Sequence, residues 1–420
     1  MANQHFQIVI IGAGPAGVTA ADTLRKADPK ADIVMIGSEP EPPYSRMAIP
    51  YVLTGLIAEE GTYLRKEEGH YDKNAIQYRQ GEAESIDPKN KVVKLKGTDD
   101  QPYSKLLIAT GASPVKPPID GLDLKGVHHC WTLEDCRNIM KFADKGADVV
   151  LMGAGFIGCI IMEALAERGV NLTVVEALDR MVPRMMNEAA GNMVKAWCEK
   201  QNVNVHTSTK VTKLEASKDP EDTLVVDLDN GKQIPAHLVV VATGVKSNID
   251  FVDGAGLKTD QGILVDECMR TSVDDIYAAG DCAQGPDFST GGWAVHAVQP
   301  TAVDHGRIAG LNMAGKSAPF KGSLNMNVLD TVGLISASFG KWDGIEGGDH
   351  AEVIDTENFK YMRLEFDGDK IIGALSLGRT DQIGVLRGLI QTEIALGPWK
   401  ERLMENPHLI ADAYVACSQQ

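Results

Sequence analysis

Three times along this chain a run of apolar residues ends in glycine. Residues 6–11 (Phe-Gln-Ile-Val-Ile-Ile) lead into Gly12, residues 148–152 (Asp-Val-Val-Leu-Met) into Gly153, and residues 238–243 (Leu-Val-Val-Val-Ala-Thr) into Gly244. Short, nearly continuous apolar runs suit strands buried on both faces of a parallel sheet. The first two continue into patterns of helical period over residues 16–26 and 156–168. Second strands follow at 33–36 (Ile-Val-Met-Ile) and 172–175 (Leu-Thr-Val-Val). The chain therefore spells β-α-β twice, about 140 residues apart, which predicts a duplicated, doubly wound α/β architecture. Proline-rich residues 114–118 and the stretch 245–248 read as crossings between domains, and residues 218–222 (Lys-Asp-Pro-Glu-Asp) as an exposed loop. From about residue 320 the texture changes. Residues 359–366 and 370–377 predict a hairpin across Asp367-Gly368-Asp369. Helical patterns follow near 381–394 and 399–414, with Pro398 at a helix start and Pro407 as an interruption. This end predicts a third domain, of α+β character.

The turn after each first strand carries the chemistry. Gly12-Ala13-Gly14-Pro15-Ala16-Gly17 and Gly153-Ala154-Gly155-Phe156-Ile157-Gly158 both fit GxGxxG between a strand and a helix. The first glycine makes the tight turn, the second lets backbone approach a pyrophosphate, and the third lets helix pack on strand. The helix N-terminus favours the phosphate charge. Glu39 stands 22 residues beyond Gly17 and Glu176 stands 18 beyond Gly158, each at the end of a second strand. A carboxylate there accepts the hydroxyls of an adenosine ribose and repels a 2′-phosphate, so Glu176 favours NAD(H) over NADP(H). Arg180 and Arg184, a little further on, are read as solvent-facing. Two such sites admit two nicotinamide cofactors, or a flavin and a nicotinamide. Gly280-Asp281, after the strand-like Ile276-Tyr277-Ala278-Ala279, suits the ribityl chain of FAD. Read alone, Asp281 competes with two plainer uses, a turn residue or the cap of a helix opening near Trp293.

Five ordered motifs, 12–17, Ala109-Thr110-Gly111, 153–158, Ala242-Thr243-Gly244 and Tyr277-Ala278-Ala279-Gly280-Asp281, resemble the two-dinucleotide-binding-domain flavoprotein family. That family includes pyridine nucleotide–disulfide oxidoreductases and rubredoxin, ferredoxin and nitrite reductases. The resemblance implies two Rossmann-type three-layer domains, with the NAD(H) domain (123–246) inserted in the FAD domain (1–122 and 247–318). A C-terminal α+β domain (319–420) would serve as dimer interface or partner-docking surface. Carried over by position, Gly12, Gly14, Pro15, Ala16, Gly17 and Glu39 would hold the AMP half of FAD, and Arg46 would lie near the pyrophosphate or the flavin. Ala109, Thr110, Gly111, Gly280 and Asp281 would line the remainder, and Trp293 and Gln299 would fall beside the flavin ring. Gly153, Gly155, Phe156, Ile157, Gly158, Glu176, Thr243 and Gly244 would hold NAD(H). Hydride would pass from NADH to flavin N5 and leave as single electrons. The chain departs from the family at Ile160, where relatives usually carry a Glu that positions the nicotinamide; Glu163 comes one turn later.

The subtype turns on Pro43-Tyr44-Ser45-Arg46-Met47-Ala48-Ile49-Pro50-Tyr51. Thiol-using relatives carry a redox cysteine just before a stretch like Ala48-Ile49-Pro50-Tyr51, and here Met47 takes its place. A thioether forms neither thiolate nor mixed disulfide. That disfavours a stand-alone NADH oxidase or coenzyme A/disulfide reductase and points to the branch that serves iron–sulfur or iron centres. The chain resembles flavin subunits of bacterial aldehyde and phenylglyoxylate-type oxidoreductases in size and style. It holds no Cys₄ set of its own, so a cluster would sit on a partner subunit. A redox sensor or assembly scaffold is the remaining alternative, against which the intact cofactor motifs weigh.

Composition narrows the partners. A formal net charge of −17 argues against nucleic acid and anionic membrane surfaces. No run approaches the ~18 apolar residues of a membrane span, and no secretory signal is visible, so a cytoplasmic enzyme is expected. The seven cysteines are scattered without CxxC spacing and read as buried, reduced thiols; no metal site is expected. His128, His129, His296 and His305 read as packing or surface residues, and no side-chain acid–base pair is assigned a catalytic role. Trp342, Phe359, Phe366 and Trp399 read as core before docking surface.

Overall fold

In the computed structural model, residues 7–218 and 223–418 are described. Phe6 and residues 219–222 of the expected exposed loop lie outside them. The described chain falls into two compact units, one of residues 7–49, 57–113 and 245–323, the other of residues 50–56, 114–244 (less 219–222) and 324–418.

The first unit is built on a five-stranded parallel sheet in the order Ile276–Ala278, Lys105–Ile108, Gln7–Ile11, Asp32–Gly37, Ile76–Gln80. Its central strands are buried on both faces, as their unbroken apolar sequence requires: Val9, Ile10, Ile33, Met35, Leu106 and Leu107 are all out of solvent. The glycine turn leads into the helix Pro15–Ala27, with Pro15 in the first turn, where its missing N–H costs nothing. This helix lies against Gln299–Met313, which returns from nearly 300 residues away. The two backbones come so close at Gly306 that a Cβ there would sit 2.2 Å from the carbonyl oxygen of Ala16. A three-stranded antiparallel sheet, Ala83–Asp87, Val92–Leu95 and Gln101–Pro102, completes the pattern.

The second unit repeats that plan. Its parallel sheet runs Asn204–His206, Asn171–Val175, Asp148–Met152, Leu238–Val241, Val127–His129. The helix Phe156–Glu167 follows the second glycine turn, and the antiparallel strands Val211–Ala216, Leu224–Leu228 and Gln233–Ala236 take the place of those in the first unit. The same unit carries a five-stranded antiparallel sheet, Met326–Thr331, Leu334–Gly340, Lys370–Leu377, Lys360–Asp367, Asp349–Asp355. The expected hairpin across residues 367–369 is formed. The last helical pattern is cut at Asn406-Pro407 into Trp399–Glu405 and Ile410–Cys417. Phe366 is buried in this region, and Trp342, Phe359 and Trp399 are half-buried.

Two expectations need correction. The helix thought to open near Trp293 begins at Gln299; Trp293–Ala294 is a short strand paired with Pro286 and Gly285. Pro300 explains it, since proline is accepted in a first helical turn but not in a helix interior. Arg180 is half-buried and not freely solvent-facing. Its guanidinium folds back onto the Met186 carbonyl (3.0 Å) and the Asp179 carboxylate (2.8 and 3.0 Å), while Arg184 is exposed.

Candidate functional site

Both glycine turns divide their labour in the same way. Gly12 and Gly153 have φ of 108° and 101°, and a Cβ would lie 2.0 Å from Ala109 O and 2.5 Å from Ala242 O respectively. These first glycines are fixed by the fold. Gly14 and Gly155, by contrast, would place a Cβ into open space, with nothing within 4 Å. Each caps its helix through extended backbone with no side-chain hydrogen bond, which leaves the first-turn N–H groups directed outward. An open cradle in front of unpaired amides at a helix N-terminus fits a dinucleotide diphosphate in both places.

Around the first turn the fold assembles residues that lie far apart in sequence. The Gly280 Cβ position lies 3.1 Å from the Ala16 Cβ, which brings the Gly280–Cys282 turn onto the start of the Pro15–Ala27 helix. Burial pushes the Asp281 carboxyl up to about 6, opposed by the Arg46 guanidinium. Thr110 and Gly111 are tied to Asn248: Thr110 Oγ1 donates to the Asn248 carbonyl at 2.7 Å, and the Asn248 N–H donates to the Gly111 carbonyl at 2.9 Å. Arg46 reaches Glu39 at 2.6 Å, and the Tyr44 hydroxyl donates to the other Glu39 oxygen at 2.6 Å. Ser45 Oγ meets Gln299 Oε1 at 2.5 Å. Trp293 is 54% exposed, its indole N–H held by the Val265 carbonyl at 2.8 Å.

The second turn is enclosed differently. Glu176 is buried and accepts two backbone N–H groups, from Ala154 at 2.7 Å and Leu178 at 2.8 Å. Gly244 (φ 120°) donates no side chain and accepts, through its carbonyl, the Val115 N–H at 2.9 Å, while Thr243 Oγ1 donates to Val115 O at 3.2 Å. Phe156 and Ile157 are half-buried on the first helical turn, and Ile160 stands half-buried one turn on. The Glu163 carboxyl is pushed up to about 7, first by burial and then by Asp330 and Glu167.

Sequence reasoning assigned no role to Tyr44 or Asn248. Tyr44 lies inside the Tyr-Ser-Arg stretch already singled out; for Asn248 no local pattern signals a role, because its partners, Thr110 and Gly111, come from a distant segment.

The remaining candidates are quiet. Met47, in the short turn Arg46–Ala48, is 46% exposed. All seven cysteines are free; six are buried and Cys268 is half-buried, and burial pushes the Cys198 thiol up to about 12. His129 meets the Val241 carbonyl at 3.1 Å, His128 packs against Phe142, and His305 is buried on Phe320. His296 lies 3.4 Å from the Asp287 carboxylate. Among the described residues, no group of three or more His, Cys, Asp or Glu is placed to hold a metal, and no helix is long and apolar enough to cross a membrane.

The family model for pyridine nucleotide-disulphide oxidoreductases matches residues 6–306. The chain is 30% identical over 408 residues, 96% of each chain, to the epsilon subunit of NADH-dependent phenylglyoxylate dehydrogenase from Aromatoleum evansii. It is 33% identical to a rubredoxin-NAD(+) reductase from Ectopseudomonas oleovorans, over 91% of this chain and 99% of that one. The solved NAD-dependent persulfide reductase from A. fulgidus superposes with a TM-score of 0.85 at 31% identity, covering 94% of this chain and 78% of that one.

Proposed function

The chain belongs to the pyridine nucleotide-disulphide oxidoreductase family, and from that premise we propose that its electrons go to a one-electron protein partner, an iron–sulfur protein or subunit, and not to a thiol. It is an FAD- and NAD(H)-dependent oxidoreductase that transfers electrons. Bound flavin supplies the chemistry, taking two electrons from a nicotinamide and passing them on singly.

The chain's own residues do the holding. In this reading residues 1–122 and 247–318 form the FAD domain, 123–246 the NAD(H) domain and 319–420 the interface domain. Gly12, Gly14, Pro15, Ala16 and Gly17 cradle the FAD diphosphate, Glu39 takes the ribose, and Asp281 takes the ribityl hydroxyls. Arg46 balances the charge of both carboxylates. Ala109, Thr110 and Gly111, pinned by Asn248, form the floor, and Trp293 borders the ring. Gly153, Gly155, Phe156, Ile157 and Gly158 receive NAD(H), with Thr243 and Gly244 at the far edge. Arg180 is engaged with Asp179 and Met186, and the Glu176 carboxylate would repel a 2′-phosphate, which supports NAD(H) over NADP(H).

The observation that carries the choice of acceptor is Met47. The position where thiol-using relatives place a redox cysteine holds a thioether, and the chain's own thiols are buried or half-buried elsewhere. The likeness to a dehydrogenase subunit along 96% of both chains supports a place in a larger complex, working in the cytoplasm where free thiols persist. The purified protein would be given NADH with oxygen, coenzyme A disulfide or an iron–sulfur protein in turn. Fast turnover is expected only with the last, and fast turnover with oxygen or the disulfide would reverse the assignment. Failure of NADH to bleach the flavin absorbance would favour a scaffold or sensor.

A further inference from the structure

The two glycine-rich turns differ in how their acidic residue is used. In the first unit Glu39 is partly exposed and its oxygens are held by side chains, Arg46 and Tyr44. In the second, Glu176 is only 7% exposed and each oxygen receives a backbone N–H. One of those amides belongs to Ala154, the second residue of the glycine-rich turn.

Ala154 is also held from its other side. Its carbonyl accepts the Val182 N–H at 2.8 Å. Val182 is buried and has φ of 43°, a conformation costly for a β-branched residue and kept only where surroundings impose it. The Glu176 backbone is itself anchored, its N–H to the His206 carbonyl at 2.7 Å and its carbonyl to the Thr209 N–H at 3.0 Å. Residues 176–182 therefore grip the two peptide units that meet at Ala154, next to Gly155, whose open cradle awaits the diphosphate.

We propose that Glu176 is a positioning residue for the diphosphate turn: together with Val182 it fixes the Ala154 backbone, and it supports nicotinamide cofactor binding mainly through that turn rather than through the adenosine ribose. The inference rests on the reading of the second fold as the NAD(H) site. A carboxylate already receiving two charge-assisted bonds in a buried place is a strong clamp. Glutamine keeps one acceptor but turns an N–H₂ toward the second amide.

The test pairs a protein change with a ligand change. Wild type and Glu176→Gln, each with FAD content checked and the flavin oxidised, would be titrated calorimetrically with NAD⁺, which cannot reduce the flavin, and with its 2′-deoxyadenosine analogue. The expected result is an affinity loss of about tenfold for both ligands, so that the two changes act independently. A loss confined to NAD⁺, with the analogue bound equally by both proteins, would overturn the proposal and return Glu176 to a ribose contact. Should the variant fail to fold, amide hydrogen exchange on wild type without nicotinamide decides. Protection of the Ala154 amide is expected, and exchange at the rate of an open loop would count against the clamp. Wild type that binds neither ligand would instead defeat the NAD(H) reading of this fold, while the Ala154 exchange would still report on the clamp.

Discussion

Single residues in this chain separate into those the fold needs and those a ligand needs, and substitution can tell them apart. Gly12→Ala drives a methyl group into the Ala109 carbonyl at a positive φ and should cost more than about 3 kcal/mol, seen as loss of soluble, cooperatively melting protein. Gly14→Ala meets open space, so the apoprotein should melt normally while bound flavin absorbance falls. Asp281 gives a prediction of opposite sign for stability and function. Burial raises its folded-state pKa to about 6 from 3.8, so the folded chain holds a proton more tightly than the unfolded one. Apoprotein stability is then greatest at low pH and declines as pH rises from about 4 to 6. Asp281→Asn should raise apoprotein stability at pH 7 by about 2–3 kcal/mol and reduce FAD retention, measured by melting at pH 5 and 8 and by flavin content. The glycines and both Glu residues stand where their spacing from a strand predicts, and Asp281 was assigned through the family resemblance, since read alone it fits a plain turn equally well. Tyr44, Asn248 and Val182 were not legible, because each acts through a partner that only folding delivers.

Among whole elements, the strands were read closely: Asp148–Met152 falls on the predicted run, and Gln7–Ile11 and Asn171–Val175 agree within a residue or so. Apolar runs bounded by glycine leave a buried parallel strand little freedom. The helix misplaced at Trp293 shows the limit. Alternating small and apolar residues fit either period, and Pro300 was the decisive signal. That helix, Gln299–Met313, carries His305, which is 1% exposed and pushed down to about 4 by burial, with His296 adding. Its ordinary value is 6.5, so the fold rejects the cation. Stability should be complete above about pH 6.5 and erode as pH falls toward 4. His305→Phe should move the acid unfolding midpoint lower, followed by far-ultraviolet dichroism. The hairpin between Met326–Thr331 and Leu334–Gly340 turns on Val332 and Gly333, with φ of 51° and 84°. Such two-residue turns favour Asn-Gly. The strain is held by the Trp197 indole N–H, which donates to the Val332 carbonyl at 3.0 Å. Val332→Asn keeps that carbonyl and should stabilise the protein by about 0.5–1 kcal/mol.

For the molecule as a whole, the distribution of sulfur sets what it can do. With six of seven cysteines buried, brief native treatment with iodoacetamide should label Cys268 alone, by mass spectrometry, and leave NADH-driven reduction of an iron–sulfur partner unchanged. The duplicated plan was plain in the sequence because it is written in two copies of one pattern. Which stretch belongs with which compact unit was less so, since the first unit is gathered from three separated segments. The seating of Gly306 on Ala16 gives that discontinuity a cost during synthesis. A ribosome that has released the first 110 residues has made four of the five parallel strands, yet the partner for Lys105–Ile108 and the helix that covers Pro15–Ala27 are about 165 to 190 codons away. While the inserted fold is being translated, the opening segment must wait with an unpaired sheet edge and an uncovered helix face. Stalled nascent chains ending near residue 260 should therefore be cut by protease within the first hundred residues, and chains extended beyond residue 320 should resist.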